Sequence, residues 1–445
     1  MSRTLGWLGI ARLGLVQTAL GAIVVLTTST MNRVMVVELA LPVILPGALV
    51  AFHYALQFLR PRWGYGSDVG GRRTPWIFGG MIVLALGGAG ASIATAWMGD
   101  NFAAGLALAV LSFAAIGAGV GAAGTNLLAF LATRVSEDRR AAAATIVWLM
   151  MIAGFVVTTI VAGHFLDPFS PARLVAVTTA VSALAVLVTA LALWRMEDEG
   201  GALAPDAAKA KAPKPPFRQA ISEVWSESQT RRFTIFVFVS MLAYSMQDLI
   251  LEPFAGVVFG MTPGQTTQLA GVQHGGVFSG MILVALAGSA GLGVGSLRGW
   301  TIGGCLASAA ALLALAASGT GGPDWPLRAT VFALGAANGA FAVAAIGSMM
   351  QLANAGAEKR EGVRMGLWGA AQAVAFGCGG LIGAMGVDIA RRFVDAPVTA
   401  YTTVFFLEAI LFLLAAALAA RAVAPDRPRR SAGDLVAALS EPSRG

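Results

Sequence analysis

The sequence predicts an all-α membrane protein of twelve transmembrane helices in two pseudo-symmetric six-helix halves. Three observations predict it: an apolar composition, twelve long apolar runs, and markers that recur in the same order in the two parts of the chain. Of 445 residues, 57% are hydrophobic and only 12% are charged, with a mean hydropathy of +0.75. A soluble domain carries about 25% charge. Continuous apolar runs of about 20 residues fit helices, not the alternating ten-residue segments of a barrel. The 55 glycines sit mostly inside these runs, where small residues let membrane helices approach closely.

The apolar runs fall near 12–33, 42–60, 75–97, 102–133, 142–164, 172–194, 232–253, 266–294, 299–318, 327–352, 363–388 and 399–421. The first reads as a retained span, because no short h-region with a small-residue cleavage pattern precedes it. Between the sixth and seventh, Pro205, Lys209, Lys211, Pro213, Lys214, Pro215 and Pro216 make a polar stretch that reads as a flexible linker. The expected organisation is a first half over 1–196, a cytoplasmic linker over 197–231, a second half over 232–424 and a cytoplasmic tail over 425–445. With both termini in the cytoplasm, 25 of the 30 Lys and Arg lie inside, leaving Arg33, Arg173, Arg328, Arg391 and Arg392 outside. The positive-inside rule favours this orientation. The net charge of +7 is thus a matter of membrane topology, and no nucleic-acid partner is expected.

A duplication is visible in several markers. Trp76-Ile-Phe-Gly-Gly80 opens the third run and Trp300-Thr-Ile-Gly-Gly304 the ninth. Arg140 and Trp148 are matched by Arg360 and Trp368, and His53 by His274. Met31-Asn32-Arg33 followed by Glu38 is echoed by Met246-Gln247-Asp248 followed by Glu252. Their common order and near-constant offset support two homologous halves.

The loop after the second run reads Gly64-Tyr-Gly-Ser-Asp68-Val-Gly-Gly71-Arg72-Arg73. It resembles the loop 2–3 signature of the major facilitator superfamily, G-x-x-x-D-x-x-G-R-[RK], at every specified position. The glycines permit a tight turn, Asp68 can accept charge-assisted bonds, and Arg72 and Arg73 hold the cytoplasmic side. The second half keeps glycines and Arg298 in the corresponding loop but has no aspartate there.

Three further stretches, Thr30-Met-Asn-Arg-Val-Met-Val-Val-Glu-Leu39, Ser245-Met-Gln-Asp-Leu-Ile-Leu-Glu-Pro-Phe254 and Met365-Gly-Leu-Trp-Gly-Ala-Ala-Gln-Ala373, resemble signatures of the PucC/LhaA bacteriochlorophyll delivery family. The short N-terminus and Arg60-Pro-Arg-Trp-Gly resemble most the branch found beside bacteriochlorophyll biosynthesis genes. The resemblance implies an inner-membrane factor that delivers pigment to, or assembles, light-harvesting complexes. Bacteriochlorophyll or a late precursor would then be cargo rather than a fixed cofactor, with bacteriochlorophyll synthase and light-harvesting apoproteins as partners.

Candidate sites follow from polar residues in apolar surroundings. Asn32, Arg33 and Glu38 end the first run and Gln247, Asp248 and Glu252 the seventh, toward the outer face. Pairing of Arg33 with Asp248 or Glu252 across the two halves would close an outer mouth; the alternative is interfacial snorkelling. His53 and His274 are either candidate magnesium ligands for the pigment or histidines bonded within the bundle. Asn126, Asn338 and Gln372 either line a cavity or bond across helices. Trp148 and Trp368 are expected as packing or interfacial anchors. No direct metal site is indicated, since Cys305 and Cys378 stand alone in apolar runs. No paired DxxxD motif or P-loop is present, so neither attachment of an isoprenoid tail nor ATP hydrolysis is expected, and the chain reads as a non-enzyme. The rivals to a pigment carrier are a secondary transporter of a small solute and a pigment-free assembly scaffold.

Overall fold

The computed structural model describes residues 5–60, 62–63, 66–67, 72–136, 139–197, 222–223, 225–289, 295–322, 324–354 and 361–423. Among them there is no strand. The helices are α1 (Trp7–Glu38), α2 (Ile44–Leu56), α3 (Thr74–Trp97), α4 (Phe102–Arg134), α5 (Arg140–Leu166) and α6 (Pro171–Leu193). The second set is α7 (Ser228–Phe259), α8 (Pro263–Ser289), α9 (Leu297–Gly321), α10 (Leu327–Asn354), α11 (Glu361–Ala390) and α12 (Pro397–Ala422). Eleven are long and apolar enough to cross a bilayer. The exception is α2, which has 13 residues before a 3-10 turn at Gln57–Leu59, where the sequence predicts a run over 42–60.

The helix starts are written locally. Proline, whose missing N–H costs nothing in a first turn, opens α6 and α12 and stands second in α3. Asn101, Ser170 and Ser296 cap α4, α6 and α9 by accepting from Ala104, Arg173 and Gly299 backbone N–H. Glycine then sets how closely helices pack. A Cβ on Gly119 of α4 would lie 2.5 Å from the Leu84 backbone nitrogen of α3, and one on Gly280 of α8 would lie 2.1 Å from the Ala336 carbonyl of α10. Packing this close is how membrane helices gain dispersion energy where lipid offers no hydrophobic drive.

The duplication extends to irregularities. Trp7–Glu38 and Ser228–Phe259 are each 32 residues long and open their respective sets. α1 departs from α geometry into a π turn at Leu26–Thr30, and α7 into a 3-10 turn at Gln247–Leu249, each starting at the twentieth position of its helix. α1 has a second π turn at Val34–Glu38. Both helices run past the apolar stretches that predict them, because Arg33 and Glu252 are buried in the bundle, 2% and 3% exposed, instead of marking its rim.

The two sets of six meet along two seams, α2 against α11 and α5 against α8. Their cores also interlock: Val36 and Val43 pack into the apolar cluster of the second set, and Leu249 into that of the first. We call the end where α1 finishes and α2 begins distal, and the end where α1 begins and α12 finishes proximal. Residues 198–221, most of the expected linker, and 424–445, which hold the expected tail, lie outside the described residues.

Candidate functional site

At the distal end each seam is closed by small residues and one aspartate. On the α5–α8 seam a Cβ on Gly264 would lie 2.4 Å from the Gly163 carbonyl, and Thr262 Oγ1 donates to Asp167 Oδ2 at 2.9 Å. On the α2–α11 seam a Cβ on Gly47 would lie 2.9 Å from Ala384 Cβ. There the Val43 and Ile44 backbone N–H groups donate to Asp388 at 3.1 and 2.7 Å, so the carboxylate caps the start of α2 from the other set of helices. Neither aspartate stands out in the sequence, though both share the offset that relates His53 to His274, and that offset is the signal that finds them.

Between the seams, α1 and α7 join directly. Asn32 Nδ2 donates to the Leu249 carbonyl at 2.7 Å, and Thr30 and Thr267 hydroxyls meet at 2.9 Å. Arg33 corrects the sequence expectation. Its ion pair is with Glu38 on its own helix, and it crosses to the second set by donating to the Met261 carbonyl at 2.7 Å. Asp248 and Glu252 are not its ion-pair partners. The π turn at Val34–Glu38 brings Glu38 within reach of Arg33, and a carbonyl is a cheaper buried acceptor than a second charge. Glu252 still feels the Arg33 charge and lies beside Thr266, with its Oε2 unpaired.

The proximal contacts are of a different kind. Glu197 accepts from Arg72 Nε at 3.3 Å and from the Arg73 backbone, Thr74 backbone and Thr74 hydroxyl, fixing the start of α3 to the end of α6. Burial alone would raise the Glu197 carboxyl, but these bonds together hold it below the usual carboxylate range. Glu197, the first residue of the expected linker, is therefore anchored to the first set of helices. Arg364 of α11 makes a two-point bond to Glu227 at 2.6 and 2.9 Å, which holds that carboxyl below its ordinary range. Arg298 donates to the Ala420 carbonyl at 2.6 Å, and Arg139 lies over the Trp7 ring at 5.6 Å. Each of these proximal contacts stays within one set of six. Between described residues, the hydrogen bonds that join the two sets all lie from mid-depth to the distal end. Of the loop 2–3 signature, Gly64, Asp68 and Gly71 lie outside the described residues.

The two histidines differ despite their repeat positions. His53 is 1% exposed, with Nδ1 bonded to the Val50 carbonyl of its own helix at 2.6 Å. His274 is half-buried, its ring 4.9 Å from Phe155 across the α5–α8 seam and its Nδ1 enclosed without a partner. Nε2 is therefore the nitrogen that meets accessible space. Asn126 and Asn338 are fully buried, bonded to the Ala122 carbonyl and to Ser308 respectively, so they serve packing instead of lining a cavity. Gln372 is half-buried beside Met241 Sδ. Trp368 is fully buried against Phe233, whereas Trp148 is exposed, so the matched pair has split roles.

The family model described as PUCC protein matches residues 30–426. The chain belongs to the PucC family. It is 54% identical over 422 residues to the bacteriochlorophyll synthase 44.5 kDa chain of Rhodobacter capsulatus, covering 95% of this chain and 96% of that one. It is 30% identical to the protein PucC of Rhodobacter capsulatus, covering 92% and 90% of the two chains. Among solved structures, it resembles a bacterial homolog of the human lysosomal transporter Spinster, inward-facing and unoccupied, with a TM-score of 0.67 and 18% identity over 95% of this chain and 98% of that one. A D-xylose-proton symporter matches with a TM-score of 0.68 and 14% identity over 93% and 97%. At such identities these likenesses concern the fold alone: this PucC-family chain has the fold of major facilitator transporters.

Proposed function

We propose that the protein is a non-catalytic carrier or assembly factor for bacteriochlorophyll or a late precursor. In this reading it works between bacteriochlorophyll synthase and the apoproteins of light-harvesting or reaction-centre complexes. Its place is the bacterial inner membrane, cytoplasmic or intracytoplasmic, with the proximal end in the cytoplasm as the distribution of Lys and Arg favours. The observation that carries the reading is His274, an imidazole with one nitrogen open at the α5–α8 seam. Neutral imidazole is a common metal ligand, and a seam between helices gives a lipophilic macrocycle a lateral way in. The name of the 54% identical relative supports a link to the pigment. His53 drops out as a ligand, since its ring is enclosed and engaged by its own helix.

The test is the absorption spectrum of detergent-purified protein made in a pigment-producing host. A near-infrared band is expected in the wild type, weakened in His274→Phe and retained in His53→Phe. A colourless wild type that is intact by gel filtration overturns the reading. A second reading, secondary transport of a small solute by alternating access, is favoured by the confinement of the inter-half hydrogen bonds to the distal half of the bundle. It predicts solute flux in vesicles without bound pigment.

A further inference from the structure

Two carboxyls sit near mid-depth without a cation. Asp248 of α7 lies eleven residues from Phe259, and Glu408 of α12 lies eleven from Pro397, which places both about 16 Å from the distal ends of their helices. That is near the middle of a hydrocarbon layer about 30 Å thick. Asp248 is exposed although its neighbours Gln247 and Leu249 are 0% and 1% exposed. Its charge acts on Tyr244 of its own helix and on Tyr54 of α2, so it faces the open space between the two sets of helices, not lipid. Glu408 is 0% exposed, and neither of its carboxyl oxygens has a hydrogen-bond partner. Gln247 is equally enclosed, with both amide atoms unpaired.

The surroundings contain nothing to balance a charge. Among the described residues no Lys, Arg or His lies within 4 Å of either carboxyl. The cations Arg231, Arg232, Arg298, Arg364 and Arg421 stand at the proximal ends of the packed helices; the other ionisable groups farther along them are Tyr244 and Glu252 on α7, Arg33 and Glu38 on α1, paired with each other, His53 and Tyr54 on α2, Cys305 on α9, Cys378 and Asp388 on α11 and Tyr401 on α12 itself. Asp388 is committed to the start of α2, and Tyr401 to Arg391. The one charge acting on Glu408 is that of Asp248, and it is of like sign. An ionised carboxylate enclosed in this way is far costlier than a neutral acid, and two like charges in one site oppose joint ionisation.

We propose that Asp248, at the open space between the two halves, and the enclosed Glu408 form a proton-binding pair. Glu408 takes its proton by way of the Asp248 carboxylate, a second proton on Asp248 completes the neutral pair, and the reverse transfers return both to solvent, with no other bond made or broken. Loaded with both protons, the exposed Asp248 presents a neutral wall, suited to an apolar guest. Without its proton, it presents an anion that repels one. This inference stands whether or not the guest is a pigment.

The test uses full-length protein in lipid nanodiscs, treated with dicyclohexylcarbodiimide across an acid-to-alkaline series and mapped by mass spectrometry. That reagent adds to protonated carboxyls in apolar surroundings. An adduct on Glu408 is expected, lost in Glu408→Gln and lost in the wild type as the medium becomes alkaline. In Asp248→Asn the labelling should persist to a different pH. Infrared difference spectroscopy of the unmutated protein needs neither reagent access nor a variant that folds. It should show a carboxylic-acid carbonyl band that shifts on deuteration and vanishes at alkaline pH. Absence of both the band and the adduct overturns the proposal, as does a Glu408 pH profile unchanged by Asp248→Asn.

Discussion

Asp167 and Asp388, at matching positions of the two halves, do equivalent work on opposite seams: one holds Thr262 just before α8, and the other holds the backbone at the start of α2. The distal closure is therefore two-fold in its hydrogen bonds as well as in its helices. Its two halves are unequal in strength, because Asp388 takes two backbone N–H groups and Asp167 one hydroxyl. Asp388→Ala should cost about 1–2 kcal/mol, as for loss of a charged helix cap, and Asp167→Ala about 0.5–1 kcal/mol. Thermal unfolding of the two variants in the same detergent checks the order, and equal midpoints would contradict it.

Gly264 tests whether that closure depends on backbone contact. A Cβ there meets the Gly163 carbonyl at 2.4 Å and the Asp167 carboxylate at 2.5 Å, so Gly264→Val wedges the seam apart. The variant should expose a cysteine placed at Thr262 to a membrane-impermeant maleimide faster than the parent carrying the same cysteine. Gly79→Val, where a Cβ has open space, is the control and should leave the rate unchanged.

The Arg33 cluster predicts a particular failure. Arg33→Ala leaves Glu38 and the Met261 carbonyl without their donor and should cost about 2 kcal/mol. Arg33→Lys should recover only part, since one ammonium on a flexible stem does not reproduce a planar fork. Exchanging Arg33 with Asp248 should rescue nothing, whereas exchanging it with Glu38 should recover part of the loss. Thermal midpoints of the single and double variants decide between the two partners.

Acid should loosen the proximal contacts first. Glu197 and Glu227 both have their carboxyls held below the usual range, so their bonds contribute fully above the ordinary glutamate value of about 4.3 and fade as pH falls through the lower folded value. Glu197→Gln should remove most of that acid sensitivity at the α3–α6 junction. The check is proteolysis near Arg72 as a function of pH, which should rise below about pH 4 in the wild type and stay flat in the variant.

Much of the fold is legible in the sequence because a bilayer forces spans to be long and apolar, and eleven of the helices are. The exception, α2, reads as longer because Phe58 and Leu59 continue the apolar composition while the chain tightens into a 3-10 turn. The site is less legible for a physical reason. Arg33 and Glu38 are five positions apart, too far for a regular helical neighbour, and only a π turn brings them together. The repeat matches His53 with His274 and Trp148 with Trp368, but burial separates each pair, since the same position in two halves need not face the same neighbours. Glu408 carries no signal beyond being a lone acid in an apolar run. Its lack of a partner is a property of packing, not of sequence.

The 3-10 turn that ends α2 has a consequence for the lipid around it. Ile44–Leu56 and the turn at Gln57–Leu59 together rise about 26 Å against a hydrocarbon layer of about 30 Å, and α2 flanks one of the two seams. A hydrophobic mismatch of that size costs fractions of a kcal/mol per Å. Bilayer thickness is thus a variable that acts on this seam before it acts on the α5–α8 seam, whose helices are of full length.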